Sequence, residues 1–241
     1  MMDQHLKAPD FPATRWSMVL AAAGSGISAR AAMEELCRLY WFPLYAFARQ
    51  WGCSPQDAED ETQNFLTKMS SEDLLSRALP DRGKLRTYLL KAFQRDLIDA
   101  HRRAHRVKRG GSAEMLPLDT MDAEALFRQT PLLHSALATY DRLWAVTCLE
   151  AALRLVEIEY SARGRSTLFE NLRPFLDPAG GQDYKTTAGV TGMDPNAIRQ
   201  AVFRLRQRFR AVLRQTVADT LHHPSEALVE EELSALRAAL S

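Results

Sequence analysis

Between Arg82 and Arg109 the chain sets ten Lys or Arg residues against two acids, Asp96 and Asp99, a local balance of +8. A second block, Lys185 to Arg214, sets seven against Asp194 alone, a balance of +6. The full 241 residues carry a formal charge of only +1, so everything outside the two blocks sums to −13. Two separate basic blocks on an acidic background suit two contacts with a polyanion. Arginine outnumbers lysine 25 to 6. Its planar fork matches phosphate and guanine, and the coding bias of a GC-rich genome produces the same excess.

Within the second block the spacing is that of a reader of base edges. A short helix from Tyr184 to Val190 is expected to meet a turn at Gly192-Met193, and Asp194-Pro195 to start a helix reaching at least Leu213. That is helix-turn-helix spacing. Ile198, Val202, Leu205, Phe209 and Val212 mark the buried face of the longer helix. Asn196, Ala197, Arg199, Gln200 and Phe203 then point outward near its start, where Arg, Asn and Gln make bidentate contacts to bases. Arg204, Arg206, Arg208 and Arg210 lie further along, in positions suited to phosphates.

Catalytic chemistry finds no support. His101 and His105 are four apart on a helix, as in zinc hydrolases, but the segment HRRAH puts Arg where such an enzyme needs its Glu base. No phosphate-binding loop, nucleophile elbow or dinucleotide turn is present, so neither an enzyme nor a cofactor is expected. Cys37, Cys53 and Cys148 form no CxxC pair and fit small buried side chains in a reducing cytoplasm. No stretch is apolar for the ~18 residues of a membrane span, and the N-terminus lacks a signal pattern.

The elements that must hold these residues are helical. Composition is ordinary, 46% hydrophobic and 25% charged, with only 11 Gly and 11 Pro to interrupt helices. A helix from about Ala29 to Trp51 carries Met33, Leu36, Leu39, Tyr40, Leu44, Phe47 and Trp51 as one stripe, with a kink or break expected at Pro43. Ser54-Pro55-Gln56-Asp57 is a helix start, with Ser as N-cap and Pro at the first position. The helix it opens buries Ala58, Thr62, Phe65, Leu66 and Met69 and turns Asp57, Glu59, Asp60, Glu61, Gln63 and Asn64 outward. A basic helix from about Lys84 to Arg106 follows, with the stripe Leu85, Leu89, Phe93, Leu97 and Ala100.

The expected organisation is all-α, two helical modules joined by a flexible linker, the second containing the helix-turn-helix. The expected boundaries are an N-terminal arm at 1–28, a first module at 29–110, a linker at 111–140, a second module at 141–216 and an acidic helical tail at 217–241. The tail, Pro224-Ser225-Glu226 through Glu231-Glu232-Leu233, is either a cap on the fold or a regulatory element competing with DNA for a basic surface.

In order, LCRLYWFPLYAFARQWG, SPQDAEDETQNFL and RGKLRTYLLKAFQRDLIDAHRR resemble the bacterial RNA polymerase sigma factors of the extracytoplasmic-function (ECF) type. Gly192-Met193-Asp194 followed by VFRLR is similar to that family's C-terminal helix-turn-helix. The resemblance implies a binding subunit, with core RNA polymerase and promoter DNA as partners and an anti-sigma factor as a further candidate. It implies that Asp57, Asp60, Gln63 and Asn64 meet the polymerase core. It implies that Arg86, Tyr88, Lys91, Arg95, Arg102 and Arg103 recognise and melt the minus-ten element. Asn196, Ala197, Arg199, Gln200 and Arg204 would bind the minus-thirty-five element. The sequence departs from the family at Leu85 and Tyr88, where aromatic residues or Trp are frequent, and in a longer stretch from Glu159 to Gln182. The alternative is a free-standing helix-turn-helix regulator, which needs neither the acidic helix nor its basic aromatic neighbour.

Overall fold

The structure, a computed structural model, describes residues 27–70, 84–104, 123–177, 183–221 and 224–241. The expectations for the N-terminal arm before residue 27, His105, Gly110-Gly111-Ser112, the Pro178–Gly181 break and His222-His223 lie outside them. Among the described residues there are helices and turns and no strand. No helix there is long and apolar enough to cross a membrane.

Helix α1 (Ile27–Trp51) runs without interruption through Pro43, so the expected break does not occur. Leu36, Leu39, Tyr40, Leu44 and Phe47 are buried, which holds the helix across the missing backbone donor, whereas Trp51 at the end of the same stripe is half exposed. The helix ends where Gly52 takes φ 110°, a conformation costly for residues with a Cβ. Gly52 N donates to Arg49 O and Cys53 N to Ala48 O, both at 3.1 Å, which satisfies two of the last carbonyls.

Helix α2 (Pro55–Ser70) starts at once. The Ser54 hydroxyl accepts from Asp57 N at 3.1 Å and donates to the Asp57 carboxylate at 2.6 Å, a reciprocal N-cap. Helix α3 (Leu85–Ala104) lies against α1 and α2. Phe47, Phe65 and Phe93, one from each helix, meet with ring centroids 5.1 to 6.4 Å apart, a favourable aromatic spacing. Lys68 on α2 pairs with Asp96 on α3 at 2.8 Å.

Of the stretch expected to be a linker with some local helix, residues 123–140 are described. Helix α4 (Ala123–Gln129) returns to α1 through Glu124, and α5 (Ala136–Ala162) begins shortly after. Tyr140 sits edge-on to Phe47, and its hydroxyl donates to Arg86 O at 3.1 Å. The Thr147 hydroxyl donates to Leu39 O at 3.0 Å. Contacts group the described residues up to 147 and those from 217 onward as one compact unit, and the described residues of 148–216 as a second. The acidic tail, helix α9 (Glu226–Leu240), therefore packs with the first unit.

The second unit contains the end of α5, then α6 (Ser166–Leu172) with a 3-10 turn at Arg173–Leu176, α7 (Tyr184–Thr191), and most of α8 (Pro195–Ala218). Its core gathers Ala152, Val156, Phe169, Leu172, Phe175, Ile198, Val202 and Leu205.

Candidate functional site

Helix α2 is sharply two-faced. Ala58, Thr62, Phe65, Leu66 and Met69 are all fully buried, while Asp57, Asp60 and Asn64 are exposed and Gln63 is half-buried. These carboxylates lie outside the protein's own core and give this face of α2 an acidic surface.

Helix α3 presents the opposite sign. Leu85, Leu89, Leu90, Phe93 and Leu97 are buried, while Thr87, Lys91, Arg95, Ile98 and Arg102 are exposed. Those five recur at intervals of four, four, three and four, so they form one outward stripe. Tyr88 is half-buried beside it. Thr87 and Ile98 were not singled out in the sequence, although their spacing from Lys91 and Arg95 was legible. Arg103 lies in the last turn of α3.

Arg86 occupies a different environment. Its side chain is only 12% exposed. Its Nε donates to Glu232 of α9 at 2.8 Å, Nη1 pairs with Asp141 of α5, and its guanidinium lies 4.8 Å from the Trp144 ring centroid. Burial disfavours the charge, and Glu232 and Asp141 outweigh it, holding the guanidinium above its ordinary pKa. Asp141 shifts upward because burial outweighs the attraction of Arg86. Lys84 Nζ is 2.6 Å from Glu232 Oε1 and 3.0 Å from Glu231. The structure thus separates Arg86 from Lys91, Arg95 and Arg102. Glu232 and Asp141 are 146 and 55 residues from Arg86, too far for any local pattern to signal them.

In the second unit, α7 is capped by Asp183, whose carboxylate accepts from Thr186 N and its hydroxyl, both at 3.0 Å. Those bonds hold the Asp183 pKa below the usual range, the backbone bond contributing most. Gly192 takes φ 67° and turns the chain, and the Asp194 carboxylate accepts from Asn196 N at 2.8 Å to start α8. Arg199 donates to Asn196 Oδ1 at 2.7 Å, and its guanidinium lies 5.6 Å from the Tyr184 ring centroid. Asn196, Arg199, Gln200 and Arg204 are exposed and Ala197 half-buried, so the five expected residues share one end of α8. Phe203 is 61% exposed within the same surface.

Two of the four arginines further along have structural partners. Arg206 donates twice to Phe175 O, at 2.8 and 3.2 Å, and Arg208 grips the Glu159 carboxylate with two nitrogens. Arg208 in turn pulls Glu159 below the ordinary carboxylate pKa. Among the described residues no group of His, Cys, Asp and Glu is arranged to hold a metal ion.

The sequence matches the family described as ECF sigma factor over residues 18–162, more than half of the chain. No curated protein and no solved structure matches it. The match takes in α1 through α5 and ends before α6, α7 and α8.

Proposed function

The chain belongs to the ECF sigma factor family, whose members serve transcription initiation without catalysis of their own, and from this we infer that it binds core RNA polymerase and directs it to promoters. One observation carries the reading. The first unit holds an acidic outward face on α2 and a basic outward face on α3, each backed by a fully buried stripe. A regulator that only grips duplex DNA has no use for exposed carboxylates beside its cations, because they repel phosphate.

In this reading Asp57, Asp60, Gln63 and Asn64 bind the polymerase core. Lys91, Arg95 and Arg102 hold the backbone of the minus-ten element, with Arg103 following in the same turn. Tyr88 supplies a ring for an unstacked base, an interaction that tolerates sequence because every base has a π-face. Arg86 serves that helix indirectly, by fixing its N-terminal end. Asn196, Ala197, Arg199 and Gln200 read the minus-thirty-five element, and Arg204 anchors the backbone beside them.

The experiment is promoter opening by purified core polymerase with and without the full chain. Opening only when the chain is present supports the reading. Tight duplex binding by the chain alone, with no effect on the polymerase, would favour a free-standing regulator.

A further inference from the structure

Glu232 is the most deeply placed acid of the tail helix, with 1% of its side chain exposed, whereas Glu226, Glu230 and Glu231 on the same helix face solvent. A carboxylate so buried is tolerable only when opposite charge compensates it. The compensation comes from Arg86 at 2.8 Å and Lys84 at 2.6 Å, and Glu231 adds a contact to Lys84 at 3.0 Å. These two cations stand at the N-terminal end of α3, the helix on which Lys91, Arg95 and Arg102 are exposed. On the apolar side of the tail helix Val229 and Leu236 are buried, and Val229 joins a cluster with Ala218 and Leu221 against which Leu233 packs.

We propose that helix α9 is a resident acidic cover for Lys84 and Arg86. It competes with nucleic-acid phosphate for these two cations and so limits how much of α3 can engage DNA. With α9 seated, DNA meets Lys91, Arg95 and Arg102. With α9 displaced, Lys84 loses both of its carboxylates and Arg86 keeps only Asp141 of α5, so both cations become more available for phosphate. The inference rests on the reading that α3 binds promoter DNA.

The test is the affinity of the full chain for a promoter duplex by fluorescence anisotropy at two salt concentrations. The Glu231→Gln/Glu232→Gln variant is expected to bind about tenfold tighter at low salt, with a salt slope steeper by up to about two. The gain should shrink when Lys84→Gln is added, because one of the released cations is then missing. Circular dichroism and the melting temperature report whether the variant is folded. Should it unfold, Glu231→Gln alone, at an exposed position, decides the matter with an expected gain of about twofold. Unchanged or weaker binding by the folded variant overturns the cover. Lys91→Ala/Arg95→Ala separates the two claims. If that variant binds DNA normally, the parent reading falls; if it binds weakly while the glutamine variants match the wild type, only the cover falls.

Discussion

Arg49 and Glu124 join through two parallel bonds, Nε to Oε2 at 2.8 Å and Nη2 to Oε1 at 3.0 Å, across 75 residues of chain. Tyr45 adds its hydroxyl to the same carboxylate at 2.9 Å, and the Arg49 guanidinium lies 5.1 Å from the Phe127 ring centroid. The pair fastens α4 to α1, and with it the start of the segment that leads to α5.

Removing Glu124 should therefore loosen the first unit. Arg49 and Glu124 are each less than one-fifth exposed, so Glu124→Gln leaves a poorly solvated guanidinium without its counter-charge. The expected cost is about 2 kcal/mol, read as a lower urea midpoint with an unchanged slope.

The same pair makes stability depend on acid. Arg49 and the other hydrogen bonds hold the Glu124 carboxyl at about 2, below its ordinary 4.5. A carboxylate depressed on folding binds more protons in the unfolded chain, so its contribution is present above pH 4.5 and fades as pH falls towards 2. Wild type should lose stability through that window more steeply than Glu124→Gln, as measured by urea midpoints at successive pH values.

On α2, Asp57 and Asp60 are expected to behave differently. Asp60 is exposed, and Asp60→Lys should change stability by no more than about 0.5 kcal/mol while weakening core-polymerase binding by about 1–3 kcal/mol. Asp57 also takes part in the N-cap with Ser54. Asp57→Lys should cost a further ~0.5–1 kcal/mol of stability, because it removes a cap bond and puts a cation at a helix N-terminus. Thermal melts beside polymerase titrations distinguish the two effects.

Arg86→Ala and Lys91→Ala make the corresponding contrast on α3. Losing Arg86 leaves Glu232 buried with half its compensation, an expected loss of about 3 kcal/mol in unfolding free energy. Lys91→Ala should leave stability within about 0.5 kcal/mol and lower the salt slope of DNA binding by about one.

In the second unit, Arg199→Ala should relax preference at one promoter position and cost about 1–3 kcal/mol on the preferred base. Arg204→Ala should weaken binding evenly across sequences. Affinities for single-base variants of the upstream element decide whether Arg199 reads or merely holds.

Local pattern carried the helices and their faces. The spacing of Leu85, Leu89, Phe93 and Leu97, and of Ala58, Thr62, Phe65 and Met69, identified sides that are buried in the structure, because a period near 3.6 residues encodes which side must leave water. Cap chemistry placed the start of α2 at Ser54-Pro55 for the same local reason. What local pattern lacked was partnership. Glu124 sits in the stretch expected to be a linker with some local helix, and no local pattern showed that it bonds Arg49. Arg86 looked like one more cation in a basic run until Glu232 and Asp141 enclosed it. Pro43 carried an expectation of a kink or a break, and with buried residues on both sides of it α1 stays continuous.

The most direct measurement is co-elution of the full chain with purified core RNA polymerase in gel filtration. The account expects the wild type to elute with the core as a stoichiometric complex and Asp60→Lys to elute largely free. A folded wild-type chain that elutes apart from the core at micromolar concentration would contradict it.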